Sequence, residues 1–180
     1  MTSRNSFWAS LKENNKRRIW LWLLSLLGFV VAFPTATAFT ISRGMTGTEH
    51  YYETFGEVLG AQKVREYLMG RVQQMIGLES GIWVLIAGFA ILSAIQGFSY
   101  LYHRNKIDFY MGMPVKRSRR FLVIWLNGII VYMVPYLLGI LLSCLIAFVN
   151  HVMSAEVFAE AMIAYGAYFC FYLGVYHLTI

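Results

Sequence analysis

Charge is scarce in this sequence. Only 13% of its 180 residues are Asp, Glu, Lys or Arg, while 58% are hydrophobic. That balance excludes an ordinary soluble domain, because the apolar residues also gather in long blocks of membrane-spanning length. Cysteine is nearly absent too. Cys144 and Cys170 both fall inside apolar runs, with no companion at metal-ligand spacing. A disulfide framework and a zinc site are thereby excluded, and the two thiols read as small hydrophobes. No GxxxxGK[ST] loop, HExxH or GxSxG occurs, so the chain has no nucleotide hydrolysis of the P-loop kind and neither of those two hydrolase signatures. His50, His103, His151 and His177 are scattered along the chain. No convergent set of acids, bases or nucleophiles is left to build a catalytic centre, and no metal or cofactor is expected.

The charge that is present is lopsided, at +6 net. In a soluble protein this would suggest nucleic acid. Here the basic residues flank apolar runs, so membrane topology and anionic lipid account for them, and no nucleic-acid partner is expected.

Residues 1–18 hold Phe7, Trp8 and Leu11 on one helical face, with Lys12, Lys16, Arg17 and Arg18 following. This pattern predicts a short interfacial helix, its Trp at headgroup depth and its cations towards lipid phosphate. Residues 19–41 carry no charge over 23 positions, enough to cross a hydrocarbon core of roughly 30 Å, with Pro34 expected to kink the outer half. The same stretch, with Ala36-Thr37-Ala38, imitates a secretory signal and its cleavage site. Three further apolar runs follow, and the span is the reading taken.

Residues 43–80 are the longest polar stretch and nearly balance their charges. Phe55, Val58, Leu59, Leu68, Val72, Met75 and Ile76 recur at helical spacing. One or two amphipathic helices are expected, broken near Gly60, resting on the outer membrane surface or serving as a lid. The second span is expected over 81–102, where Ala90/Ala94 and Ser93/Gly97 permit close helix approach. The third, over 121–149, would extend about 43 Å and so must tilt or bend, with Pro135 the natural place. Asn127 near its inner end is expected to bond to a neighbouring helix. A tight outer turn at 150–156 leads to the fourth span, 157–178. There Gly166, Cys170 and Gly174 form a small-residue stripe suited to packing. Tyr165, Tyr168, Tyr172 and Tyr176 share another face, as a candidate lining for an amphiphilic substrate or as ordinary interfacial and packing tyrosines. Glu160 lies about one turn inside the outer end.

Five Lys and Arg precede the first span and six lie in the 102–120 connection, against four in the 43–80 loop. The positive-inside rule then predicts four spans with both termini on the cytoplasmic side. The fold class expected is all-α: a polytopic integral membrane protein in one transmembrane domain over 1–180.

The connection between the second and third spans is the most unusual stretch. YLYHRNKIDFYMGMPVKRSRRF packs basic residues around Ile107, Phe109, Tyr110, Met111 and Met113, with Asp108 the single acid. Arg104 and Asp108 are four apart, as a helical pair would be. Pro114 closes the segment, and Lys116, Arg117, Arg119 and Arg120 are positioned to anchor it to the inner leaflet. A short helix with exposed aromatics can insert into a groove on a partner. It can equally dip those aromatics into lipid.

This run resembles the loop of ABC transporter permeases of the ABC-2 type found in Firmicutes. The features in common are Tyr100-Leu101 at the end of a span, Asp108-Phe109-Tyr110, the step Gly112-Met113-Pro114, and Lys116-Arg117. The resemblance implies a permease subunit in a bacterial cell membrane with a cytoplasmic amino terminus. It implies a coupling loop that contacts a separate ABC ATPase subunit through Asp108, Phe109, Tyr110 and Pro114, and Arg104 and Met111 of the same segment are expected to join that contact. It also implies a second permease subunit as partner, and no ATP hydrolysis in this chain. Such permeases usually have six or more spans, so the four expected here suggest an amino-terminal part or a short subunit. A non-transporting scaffold or regulatory subunit using the same loop is the alternative. An intramembrane enzyme is disfavoured, because only Asn127 and Glu160 offer polar groups and they lie near opposite faces.

Overall fold

The computed structural model describes residues 8, 11–12, 15–16, 18–78, 81–98 and 117–178. All elements among them are helices: α1 (Ile19–Met45), α2 (Glu49–Ile76), α3 (Trp83–Phe98), α4 (Arg117–Val149) and α5 (Ala155–Leu178). Three are long and apolar enough to cross a membrane, namely α1, α4 over Phe121–Val149 and α5 over Ala155–Val175. The 16-residue α3 is equally apolar but reaches only about 24 Å. The last residues of its expected span, 99–102, lie outside the described residues. Three candidate spans and one shorter apolar helix therefore stand where the sequence predicts four spans.

Helix α1 departs from a regular ladder. Leu26–Val31 form a π turn immediately before Pro34, which lacks an N–H and whose ring crowds the carbonyl one turn back. Widening that turn relieves the crowding, so the distortion falls ahead of the proline rather than in the carboxyl-terminal half of the helix. Hydroxyls in the helix bond back to its own carbonyls: Ser25 to Trp22, Thr35 to Val31 and Thr37 to Phe33. Each is satisfied inside an apolar setting where an unpaired group is costly. Of the predicted interfacial segment, Trp8, Leu11, Lys12, Asn15 and Lys16 are helical. The Trp22 indole donates to the Asn15 side chain, tying that segment to α1.

Helix α4 is the central post and touches every other helix. It runs unbroken through Pro135. Gly139 lets α1 come against its backbone: a Cβ there would lie 2.5 Å from the Phe29 carbonyl oxygen. Helix α3 packs on α4 and α5, with Ala90, Ser93, Ala94 and Gly97 all buried as their small size foreshadowed. Asn127 is fully buried as well, yet its amide has no hydrogen-bond partner among the described residues. The expected bond to a neighbouring helix is not made there.

The turn between α4 and α5 is a Schellman motif. Val152 N–H donates to the Ala147 carbonyl and His151 N–H to that of Phe148. His151 takes the left-handed conformation, φ 58°, that glycine usually fills. The Ser154 hydroxyl then accepts from Val157 N–H and caps α5.

Helix α2 does not lie alone on a surface. It runs antiparallel to the carboxyl-terminal half of α1, with Leu68 against Gly44 and the Met75 sulfur 3.3 Å from the Thr37 hydroxyl. Its carboxyl end reaches α5, where Gly77 meets the Glu160 side chain. Val64, Leu68, Val72 and Ile76 are buried at every fourth position, which is the face that meets those neighbours. The break falls at Gly56 (φ 73°, ψ 177°), four residues before the expected one, because only glycine is at ease there. Gly60 serves a different purpose: its missing side chain admits Tyr51 and Tyr52 as the chain folds back. On the exposed face Lys63 and Glu66 pair at 2.8 Å. Their hydrogen bond, and secondarily their opposite charges, raise the lysine's pKa and lower the carboxylate's.

Candidate functional site

Side chains from four helices converge in the middle of the bundle as a cluster of aromatic rings. Phe29 of α1 is its hub, lying 4.9 Å from Phe89 of α3, 5.7 Å from Tyr132 and 5.5 Å from Tyr136 of α4. Phe33, one turn along α1, also meets Tyr136 at 5.5 Å. From α5, Tyr172 stacks on Tyr132 at 4.9 Å and 13°. Tyr165 stacks on Tyr136 at 5.5 Å, and Tyr168 meets the same ring edge-on at 6.0 Å. Offset and edge-to-face pairs at such separations are the geometries that ring quadrupoles favour.

Three of the four tyrosines read as one face of the last helix thus do act together. Tyr168 and Tyr172 are buried and Tyr165 is half-buried. Tyr176 lies on the same helix, and its side chain is outside the described set. Sequence reasoning missed the other half of the cluster, Phe29, Phe33, Phe89, Tyr132 and Tyr136. A signal existed: Phe29/Phe33 and Tyr132/Tyr136 are each four apart, so each pair shares a helix face. The rings lie against one another, so within this chain the cluster is a filled core.

The cluster's hydroxyls are unequally served. Tyr132 donates to the Ile86 carbonyl across the α3–α4 contact at 3.2 Å. Tyr136 is just as deeply buried, but its hydroxyl has no partner among the described residues. The Ser143 hydroxyl, two turns farther along α4, is in the same state.

The small-residue stripe of α5 is overturned as an internal seam. Gly166, Cys170 and Gly174 are exposed, and nothing lies within 4 Å of where a Cβ would stand on either glycine. The seam that packs consists of Val157, Ala161, Ala164, Tyr168 and Tyr172.

Of the predicted coupling loop, Arg104, Asp108, Phe109, Tyr110, Met111, Pro114 and Lys116 lie outside the described residues. Its base does not. Phe98, the last residue of α3, stacks on Phe121 near the start of α4, with centroids 6.0 Å apart and planes 24° apart. The two helix ends that bound residues 99–116 are therefore held side by side. Among the anchoring cations, Arg117 and Arg120 occupy the first turn of α4 and Arg119 is half-buried beside them. Arg18, at the start of α1, is buried, and its Nη1 has no partner among the described residues.

Among the described residues no three His, Cys, Asp or Glu side chains gather as a metal site would require. Glu160 stands against Gly77, just past the carboxyl end of α2. Compared with family models, with curated proteins and with solved structures, the chain gave no match.

Proposed function

We propose that this chain is the membrane-spanning permease subunit, or an amino-terminal part of one, of an ABC-type exporter in a bacterial cell membrane. In this reading four spans are threaded with the amino terminus in the cytoplasm, and the segment 103–120 docks on a separate ATPase subunit. The observation that carries it is the Phe98–Phe121 stack. A connection pinned at both feet moves two helices when it is pushed, whereas a slack tether would absorb the push. The aromatic core then passes the displacement on, since α3 and α4 share with α1 and α5 the rings around Phe29. Nucleotide binding by the ATPase must alter the docked contacts, because a loop held identically in both states transmits nothing.

The filled core favours a second reading alongside it. Rings in contact leave the passage to be formed with another chain, as in a dimer of permease subunits. Otherwise the chain is a scaffold or regulatory subunit that binds its partner by the same loop and moves no substrate.

Co-purification in mild detergent separates these readings. The intact chain should retain an ATPase, and Asp108→Ala/Phe109→Ala/Tyr110→Ala should release it. If both chains fold and neither retains one, the permease reading fails. Phe98→Ala/Phe121→Ala should keep the ATPase but lose export. A scaffold would retain the ATPase in the same way, while deleting it would leave export intact.

A further inference from the structure

We propose that the elbow of α2 around Gly56 is a docking surface for a cationic amphipathic polypeptide segment. Four large apolar side chains stand out there, Tyr52, Phe55, Val58 and Leu59, with Val58 84% exposed. They are not the spare side of a buried face. The apolar row of α2 that packs on its neighbours runs through Val64, Leu68, Val72 and Ile76, and the elbow residues lie beyond its end. The elbow is also a built shape. Gly56 takes a backbone conformation closed to other residues, and Gly60 lets Tyr51 and Tyr52 fold against it, with a hypothetical Cβ only 3.0 Å from the Tyr51 carbonyl oxygen.

The charge around these apolar groups selects the occupant. Glu49, Glu53 and Glu57 are exposed and form no ion pair among the described residues. No Lys or Arg occurs between Arg43 and Lys63. Arg43 lies over the Phe39 ring at 4.3 Å and Lys63 is paired with Glu66, and among the described residues neither forms an ion pair with the elbow carboxylates. A second copy of this chain would set the same three carboxylates against each other. A bilayer surface is also a poor fit. Leu68 packs at Gly44, near the outer end of α1, and Glu57 lies 11 residues beyond it, about 16 Å farther along the helix. What remains is a polypeptide that offers apolar side chains flanked by Lys or Arg.

The test uses the full chain in phosphatidylcholine nanodiscs, with binding to empty discs subtracted. The probe is a fluorescent 18-residue Leu/Lys amphipathic peptide, and its Leu/Glu counterpart is the control. Saturable binding of the Leu/Lys probe is expected, weaker at high salt. Glu49→Gln/Glu53→Gln/Glu57→Gln should weaken it about tenfold, as three exposed charge pairs would. Val58→Ser/Leu59→Ser should abolish it, while Glu156→Gln, an exposed acid on α5, should leave it unchanged. All these positions are exposed, so the variants should unfold at the same temperature as the parent chain. Equal binding by the parent and elbow variants would overturn the proposal, as would equal binding of the acidic peptide. Elbow-dependent dimerisation, or insertion of the elbow into the disc, would assign the surface to a different occupant and overturn it as well.

Discussion

Replacing Gly139 by Ala should destabilise the protein, although the same change at Gly70 should do the reverse. The added Cβ would stand 2.5 Å from the Phe29 carbonyl oxygen and 2.9 Å from its carbonyl carbon. Ordinary contact begins near 3.4 Å, so α1 and α4 must part by roughly 1 Å, or the π turn must re-form. Backbone cannot rotate aside as a side-chain tip does, and overpacking of this kind costs about 1–3 kcal/mol. Against that stands a helix-propensity gain of about 1 kcal/mol for Gly→Ala. The obstacle also bears on Phe29, whose ring touches four others, so spreading the helices loosens the cluster as well. The difference is a loss of up to about 2 kcal/mol, to which the loosened cluster adds. Gly70, exposed on α2 with nothing within 4 Å of its would-be Cβ, provides the opposite case, where Ala should add about 0.5–1 kcal/mol. Reversible unfolding in detergent, followed by near-ultraviolet circular dichroism of the tyrosines, would report both. If Gly139→Ala unfolds no more easily than the parent, the close approach of α1 to α4 is wrong.

Other expectations follow from single contacts. His151→Gly should stabilise the chain by about 1 kcal/mol, because it removes the left-handed penalty at the Schellman turn; the same unfolding assay would detect it. Tyr132→Phe should cost about 1 kcal/mol through the lost bond to the Ile86 carbonyl. Tyr136→Phe removes a hydroxyl without a described partner and should be neutral or stabilising, so equal losses in the two variants would refute the assignment. Tyr136→Ala should cost about 3–5 kcal/mol by opening a cavity among five rings.

How much of this was legible in the sequence depended on whether the signal was local. Apolar runs between 19 and 41, 121 and 149, and 157 and 178 carry helix and burial together, and these became α1, α4 and α5. The alanines of α3 were read correctly because small size is itself the packing signal. What failed needed a partner to decide. Gly60 and Gly56 both look like breaks in a helix, and only the fold reveals that one makes room while the other turns. Gly166, Cys170 and Gly174 have the periodicity of a seam, yet α5 turns Tyr168 and Tyr172 inward instead, because their larger area finds partners on α4. The aromatic cluster was half visible: one helix supplied a tyrosine face, while its complement was spread over residues 29 to 136. The coupling-loop residues 104 to 116 rest on sequence and resemblance alone.

The π turn has one more consequence. Ser25, Phe29, Phe33, Thr37 and Ile41 are all buried, at intervals of four. In a regular α-helix a row spaced by four rotates about 40° per step around the axis, so after four steps its ends would face nearly opposite directions. A wider turn in the middle slows that rotation and keeps the row nearer one side. The turn acts as a phase corrector, and the count of residues through Leu26–Val31 becomes a quantity under constraint. Removing one residue there would leave the amino-terminal half of α1 in place and swing everything beyond it. Phe33, Thr37 and Ile41 would move away from α4 and α2 together, and α2, which packs on that half as well as on α5, would lose one of its two main supports.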